Sequence, residues 1–142
     1  MTVGAALTAA FSGFALPPAT SASAATPSCT TRVELAVYSG SAYVPMNSSK
    51  NNTSCSMYEG ASNNGVLALQ EMINDCYVAK DYISHAKLTE DGDFGSNTYA
   101  ALRQVQNYIS VGVDGDYGPE TAAAIKSKSS NGTCYKFSQS PG

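Results

Sequence analysis

The sequence predicts a mainly α fold: a small three-helix bundle with an extended or β arm ahead of it and two disulfides. Three observations predict it. Apolar residues recur at spacings of three and four over 64–77 and again over 96–109, and a short Ala-rich stretch follows at 119–127. Residues 30–62 lack that period and are broken by Gly, Pro, Ser and Asn. Four cysteines, at positions 29, 55, 76 and 134, follow a leader-like N-terminus, and an even count in an oxidising compartment argues for two disulfides.

The first charged residue is Arg32. Before it lie "VGAALTAAFSGFAL", an apolar run of small residues, and "PPATSASAATPSC", which contains the small-x-small triplet Ala22-Ser23-Ala24. This reads as a secretory signal peptide over 1–24, cleaved after Ala24. A hydrocarbon core of ~30 Å needs a longer and more apolar run, so a membrane anchor is disfavoured. No Lys or Arg precedes the run, which points to a start upstream of Met1. The expected location is extracellular or cell-wall associated, with no membrane attachment after cleavage.

Residues 25–62 read as an extended N-terminal arm. "RVELAV" alternates Val33, Leu35 and Val37 with Glu34 and Ala36, the pattern of a half-buried strand. "YSGSAYVPM" carries a Gly turn and a Pro suited to an edge, and "NSSKNNTSC" is a loop by composition. The segment is too small for a core of its own.

The main unit is expected over 63–128. In helix 64–77, Val66, Leu69, Ile73 and Cys76 share a face, and Asn63 or Asn64 can cap its start. In helix 96–109 the buried stripe is Ala101, Leu102, Val105 and Ile109. Helix 119–127 ends near Lys126 and Lys128, which suit the negative end of a helix dipole. A polar tail over 129–142 holds Cys134. Spacing alone does not choose among the three possible cysteine pairings. The pairing expected is Cys55–Cys76 with Cys29–Cys134, the latter tying two polar ends together.

The chain writes one phrase twice, "EDGDFGSNTYAAL" from Glu90 and "VDGDYGPETAAAI" from Val113. Asp91-Gly92 and Asp114-Gly115 are tight-turn dipeptides, because Gly accepts positive φ and Asp bonds nearby backbone. Phe94 and Tyr117 are placed to tuck into the core. Gly95 and Gly118 let the chain bend into a helix. Thr98 and Thr121 fall in the first turn, where a hydroxyl can satisfy a free backbone N–H. Pro119 suits the first helical position, and Glu120 the positive end of the dipole. Every position has a role in starting a helix without a ligand.

The rival readings of the acid pairs fit less well. A calcium loop needs a Glu at its twelfth position, where these copies have Leu102 and Ile125. A glycosidase pair needs carboxylates in unlike environments, which repeated identical turns do not supply. His85 is the only histidine, so a Ser–His–Asp triad or a multi-His zinc site is disfavoured, and paired cysteines leave no thiol for Cys–His chemistry. No catalytic residue, metal or cofactor is expected. A net charge of −3, with 13% charged residues, disfavours nucleic acid and anionic membranes as partners.

Taken in order, V-x-x-L-Q-x-x-I from Val66 to Ile73, D-G-D-F-G-x-x-T-x-x-A-L-x-x-V-Q from Asp91 to Gln106, and V-D-G-D-Y-G-P-x-T-x-x-A-I from Val113 to Ile125 resemble the peptidoglycan-binding domain family, a three-helix wall-binding module. The resemblance covers roughly 60–128 and departs at Val105, where the family usually has an aromatic, and in the link "NYISVGV". It implies a non-catalytic module, here without an accompanying hydrolase, that holds a monomeric protein on bacterial peptidoglycan. Sugar faces, amides and carboxylates suit Tyr, Arg and Asn, which selects Tyr99, Arg103, Asn107 and Tyr108 as ligand-binding candidates on the outer face of helix 96–109. An ordinary solvated face is the competing reading of each. Gln70 and Gln106 are expected to bond loop backbone rather than ligand. Two other functions compete: a wall-active hydrolase or enzyme inhibitor on the same fold, and an interaction module docking a partner through the 30–62 arm.

Overall fold

The computed structural model describes residues 25–137. The leader expected over 1–24 and the last residues of the tail, 138–142, lie outside that range. The chain runs β1 (Cys29–Val37), β2 (Gly40–Asn47), α1 (Asn64–Ile73), a π-helical turn (Asn74–Val78), α2 (Ser96–Tyr108), α3 (Pro119–Ala124), β3 (Lys126–Lys128) and β4 (Cys134–Lys136). No helix is long and apolar enough to cross a membrane among the described residues.

β1 and β2 form an antiparallel hairpin in which Val33 faces Val44 and Leu35 faces Ala42. The register slips between Cys29 and Thr31. There the Thr31 hydroxyl reaches the carbonyls of Met46 and Asn47, each at 3.0 Å, so the irregularity leaves those acceptors satisfied. The inward face carries Val37, Ala42, Val44 and Met46, all buried. It packs on α1, and Arg32 crosses from the hairpin to Glu71 at 2.7 Å.

The side chain of Asn63 caps α1, accepting from the N–H of Val66 at 3.0 Å. Most of this helix is buried, on several sides: Val66, Ala68, Leu69, Gln70, Met72 and Ile73 are all covered. A helix that is apolar nearly all round must be enclosed on more than one side. The hairpin supplies one side, while Phe94, Leu102, Val105 and Tyr117 belong to the same buried cluster on the other.

The fold is therefore not the mainly α three-helix bundle expected from the sequence. Among the described residues helix and strand contribute in similar measure, 31% and 27%, and the strands form two small antiparallel sheets. The expected arm is a wall of the core. It needs no core of its own because it covers α1. The third helix is also shorter than expected: it stops at Ala124, Ile125 turns extended at ψ 150°, and Lys126–Lys128 pair with Cys134–Lys136. Lys126 and Lys128 thus sit on a strand and not at a helix end. The first helix, by contrast, runs through its expected end, changing to a π turn that carries Cys76 and Tyr77.

Both disulfide pairings are likewise corrected. The bonds are Cys29–Cys55 and Cys76–Cys134, in place of Cys55–Cys76 and Cys29–Cys134. Main-chain pairing decides the first: the N–H of Cys29 donates to the carbonyl of Ser56 and that of Ser56 to Pro27, both at 2.9 Å, which lays Cys55 beside β1. The second joins the π turn to β4 and anchors the β3–β4 ribbon, with Cα atoms 5.9 Å apart.

If the hairpin is core, Val44→Ala should destabilise the protein by about 1–3 kcal/mol in urea unfolding, as for other large-to-small changes at buried sites. A freely hanging arm would tolerate the change without measurable loss.

Candidate functional site

The site is built on two turns held by two glutamines. In the first, the Gln70 amide oxygen accepts from the N–H groups of Asp91 and Gly92 at 3.0 and 2.9 Å. Its NH2 lies 3.0 Å from the Asp91 carboxylate, 3.0 Å from the Asp93 carbonyl and 3.1 Å from the Thr98 hydroxyl. The second turn repeats the pattern. Gln106 accepts from Asp114 and Gly115 at 3.1 and 2.8 Å, and its NH2 reaches Asp114, the Asp116 carbonyl and Thr121 at 2.9, 2.8 and 3.1 Å. Both glutamines are buried, so each saturated amide avoids the penalty of an unpaired buried polar group. Gly92 and Gly115 have φ of 78° and 79°, the left-handed conformation that the Asp-Gly dipeptides foretell.

Three of the four aspartates in the doubled phrase, Asp91, Asp93 and Asp114, have a structural task. Asp91 and Asp114 each accept from the N–H two residues on, at 2.9 Å. That N–H of Asp93, together with the Gln70 amide, holds the Asp91 carboxyl below its usual range. Asp93 accepts from the hydroxyl of Ser62. Thr98 and Thr121 accept from the glutamine amides and so do not serve the helix N–H groups as expected. Gly95 and Gly118 lie in extended backbone with open space around them, so neither close bending nor positive φ explains them. Phe94 and Tyr117 are buried as expected, and each pairs its main chain with the 57–61 segment. Among the described residues the Tyr117 hydroxyl is buried without a hydrogen-bond partner, and burial pushes its pKa strongly up.

These turns fix α2, whose outer face lines a groove of about 600 Å³. The four ligand-binding candidates, Tyr99, Arg103, Asn107 and Tyr108, all line it. Their spacing of four and then one places them on one side of the helix, away from buried Ala101, Leu102 and Val105. The Arg103 guanidinium carbon lies 5.9 Å from the Tyr99 ring centre, within cation–π range. A side chain at Gly115 would overlap the Tyr99 ring, so the second turn also shapes the groove.

A second lining element was missed at the level of sequence. It comes from the 79–85 link, where Tyr82 stacks on Tyr108 with centroids 4.7 Å apart and planes 10° apart. Tyr77 meets Tyr108 edge-on at 6.0 Å. The link is clamped by Gln104, whose amide oxygen accepts from the N–H groups of Ser84 and His85 at 2.9 and 3.1 Å. Asn74 holds the following segment, accepting from Leu88 at 2.8 Å and donating to its carbonyl at 3.0 Å. "DYISHAK" has no period that could announce this wall. Its one local signal is a tyrosine in a polar link. Among the described residues, no group of three or more His, Cys, Asp and Glu side chains comes together to hold a metal.

Three outcomes test the turns. Gln106→Ala should destabilise by about 2–4 kcal/mol, because it strands buried partners, whereas Tyr117→Phe should be neutral or stabilise by up to about 1 kcal/mol, because it removes an unpaired hydroxyl. Both are read from denaturant midpoints. The lowered pKa of Asp91 means that its stabilising contribution is present above the ordinary carboxylate value and lost as pH falls through the lowered one. The melting temperature should therefore drop on acidification below about pH 4, and Asp91→Asn should make that drop shallower.

Residues 62–125 match the family model described as "Putative peptidoglycan binding domain". No curated protein and no solved structure matches the chain. The matched segment holds α1, α2, α3 and both glutamine-held turns, while the β1–β2 hairpin and the β3–β4 ribbon lie outside it. The two saturated turns and the helices they start thus carry the match to the peptidoglycan-binding domain family.

Proposed function

We propose that this protein is a secreted, non-catalytic and monomeric module that attaches to bacterial peptidoglycan through the groove on α2. The observation that carries the reading is the groove itself: Tyr99 and the stacked Tyr82–Tyr108 pair line it together with Arg103 and Asn107, on a segment that matches a peptidoglycan-binding family. Tyrosine faces suit the C–H faces of sugar rings, Asn107 suits amides, and Arg103 suits a carboxylate. A volume of about 600 Å³ is in the range of small-ligand sites. Binding without catalysis is supported by the engagement of Asp91 and Asp114, each an anchor of its own turn. The 30–62 segment is not favoured as a docking arm, because its hairpin covers α1.

Purified insoluble cell wall should retain the protein above a control protein of similar charge. Replacing Tyr82 and Tyr108 together by Ala should lower retention roughly tenfold, from two aromatic contacts of about 0.5–1.5 kcal/mol each. Failure of the unaltered protein to exceed the control would sink the reading. Clearing of a peptidoglycan suspension would replace it with hydrolysis.

A further inference from the structure

A second cleft, of about 430 Å³, adjoins the groove and shares Tyr82 and Tyr108 with it. Its far wall is the β3–β4 ribbon, secured to the floor by Cys76–Cys134. Lys80, Lys126 and Lys136 line it, and no aspartate or glutamate does. None of the three lysines has an ion-pair partner among the described residues. This is a concentration of positive charge in a chain whose net charge is −3.

Register adds a second, independent observation. Lys126 and Lys136 are direct partners across the ribbon. Like charges directly opposite one another destabilise a two-stranded pair, and this ribbon is only three residues long on each strand. An anion between them would turn that repulsion into attraction. The ribbon also lies beyond the family match, which ends at residue 125, so this wall of the cleft is an addition to the matched segment.

We propose that this cleft is a subsite for an anionic group, a carboxylate or a phosphate, carried by the polymer whose uncharged part lies on the tyrosine groove. The stacked Tyr82–Tyr108 pair is the shared wall, so one ligand can lie against both sites. The lysines then supply a salt-sensitive share of the binding, and the tyrosines a salt-insensitive share. The identity of the polymer rests on the proposed function, whereas anion binding in the cleft does not.

Two measurements test the proposal separately from that reading. The first titrates succinate and, in parallel, glycerol 1-phosphate into the whole protein and follows backbone amide NMR shifts. Saturable shifts centred on Lys126, Gly132, Thr133 and Lys136 are expected, and K126Q/K136Q should abolish them. The variant should melt no lower than the parent, since it removes a like-charge pair. Absent shifts, or equal shifts at Lys50, Lys87 and Lys128, would overturn the proposal whether or not the protein binds wall. The second measures retention on purified wall. K80Q/K126Q/K136Q should lose roughly tenfold at low salt and little at high salt, and equal loss at both would also overturn it. Walls with carboxyls amidated, against walls stripped of phosphate polymers, identify which source supplies the anion.

Discussion

Two buried side-chain amides, those of Gln70 and Gln106, hold the turns from which α2 and α3 start. Each accepts from two backbone N–H groups of an Asp-Gly turn and donates to the turn's carboxylate, a carbonyl and the threonine of the next helix. The glutamine therefore does for a loop what a ladder does for a strand. It satisfies polar groups that could not otherwise be buried, at a site where each unpaired group costs about 1–3 kcal/mol. Because Gln70 is on α1 and Gln106 on α2, each helix positions the start of the next. The chain of dependence runs from α1 through the first turn to α2, and through the second turn to α3.

The hairpin and the ribbon attach to that frame from outside the family segment. Gln70 lies on a helix covered on several sides, and β1–β2 provides cover that the repeats do not. β3–β4 pairs onto the hairpin through the Ser127 hydroxyl, 2.8 Å from the Tyr43 carbonyl, and onto the π turn through Cys76–Cys134. Tyr77 joins the same contact. Its hydroxyl accepts from the N–H of Lys126 at 2.9 Å, and burial pushes its pKa up to about 12, so it stays neutral. Cys76–Cys134 thus fastens the ribbon to the frame, while Cys29–Cys55 ties the start of β1 to the segment that precedes α1.

The proposed function rests on what the frame leaves on the surface. The face of α2 opposite its buried stripe presents Tyr99, Arg103, Asn107 and Tyr108, and the 79–85 link brings Tyr82 against them. Gln104 is the positioning residue here, since its single amide oxygen fixes the link that carries Tyr82. An aromatic wall, a guanidinium and a neighbouring lysine cleft provide stacking, hydrogen bonding and charge within one continuous surface.

The sequence by itself determined what is local. Asp-Gly turns, an asparagine cap at 63 or 64, the buried stripes of α1 and α2, and the task of the two glutamines all follow from residues within one turn or from a motif with fixed spacing. Even the outer-face candidates on α2 were legible, because helical spacing alone puts them together. What only the tertiary structure decided is non-local. The 30–62 segment reads as an arm because alternation over six residues cannot say what lies on its apolar face. The cysteines pair as Cys29–Cys55 and Cys76–Cys134 because main-chain bonds from Ser56 to Cys29 and Pro27, and a ribbon after α3, set which thiols meet. Lys126 and Lys136 face each other only because Ile125 turns extended and ends α3 early. Periodicity reports which face of an element is apolar, and packing alone decides which element covers it.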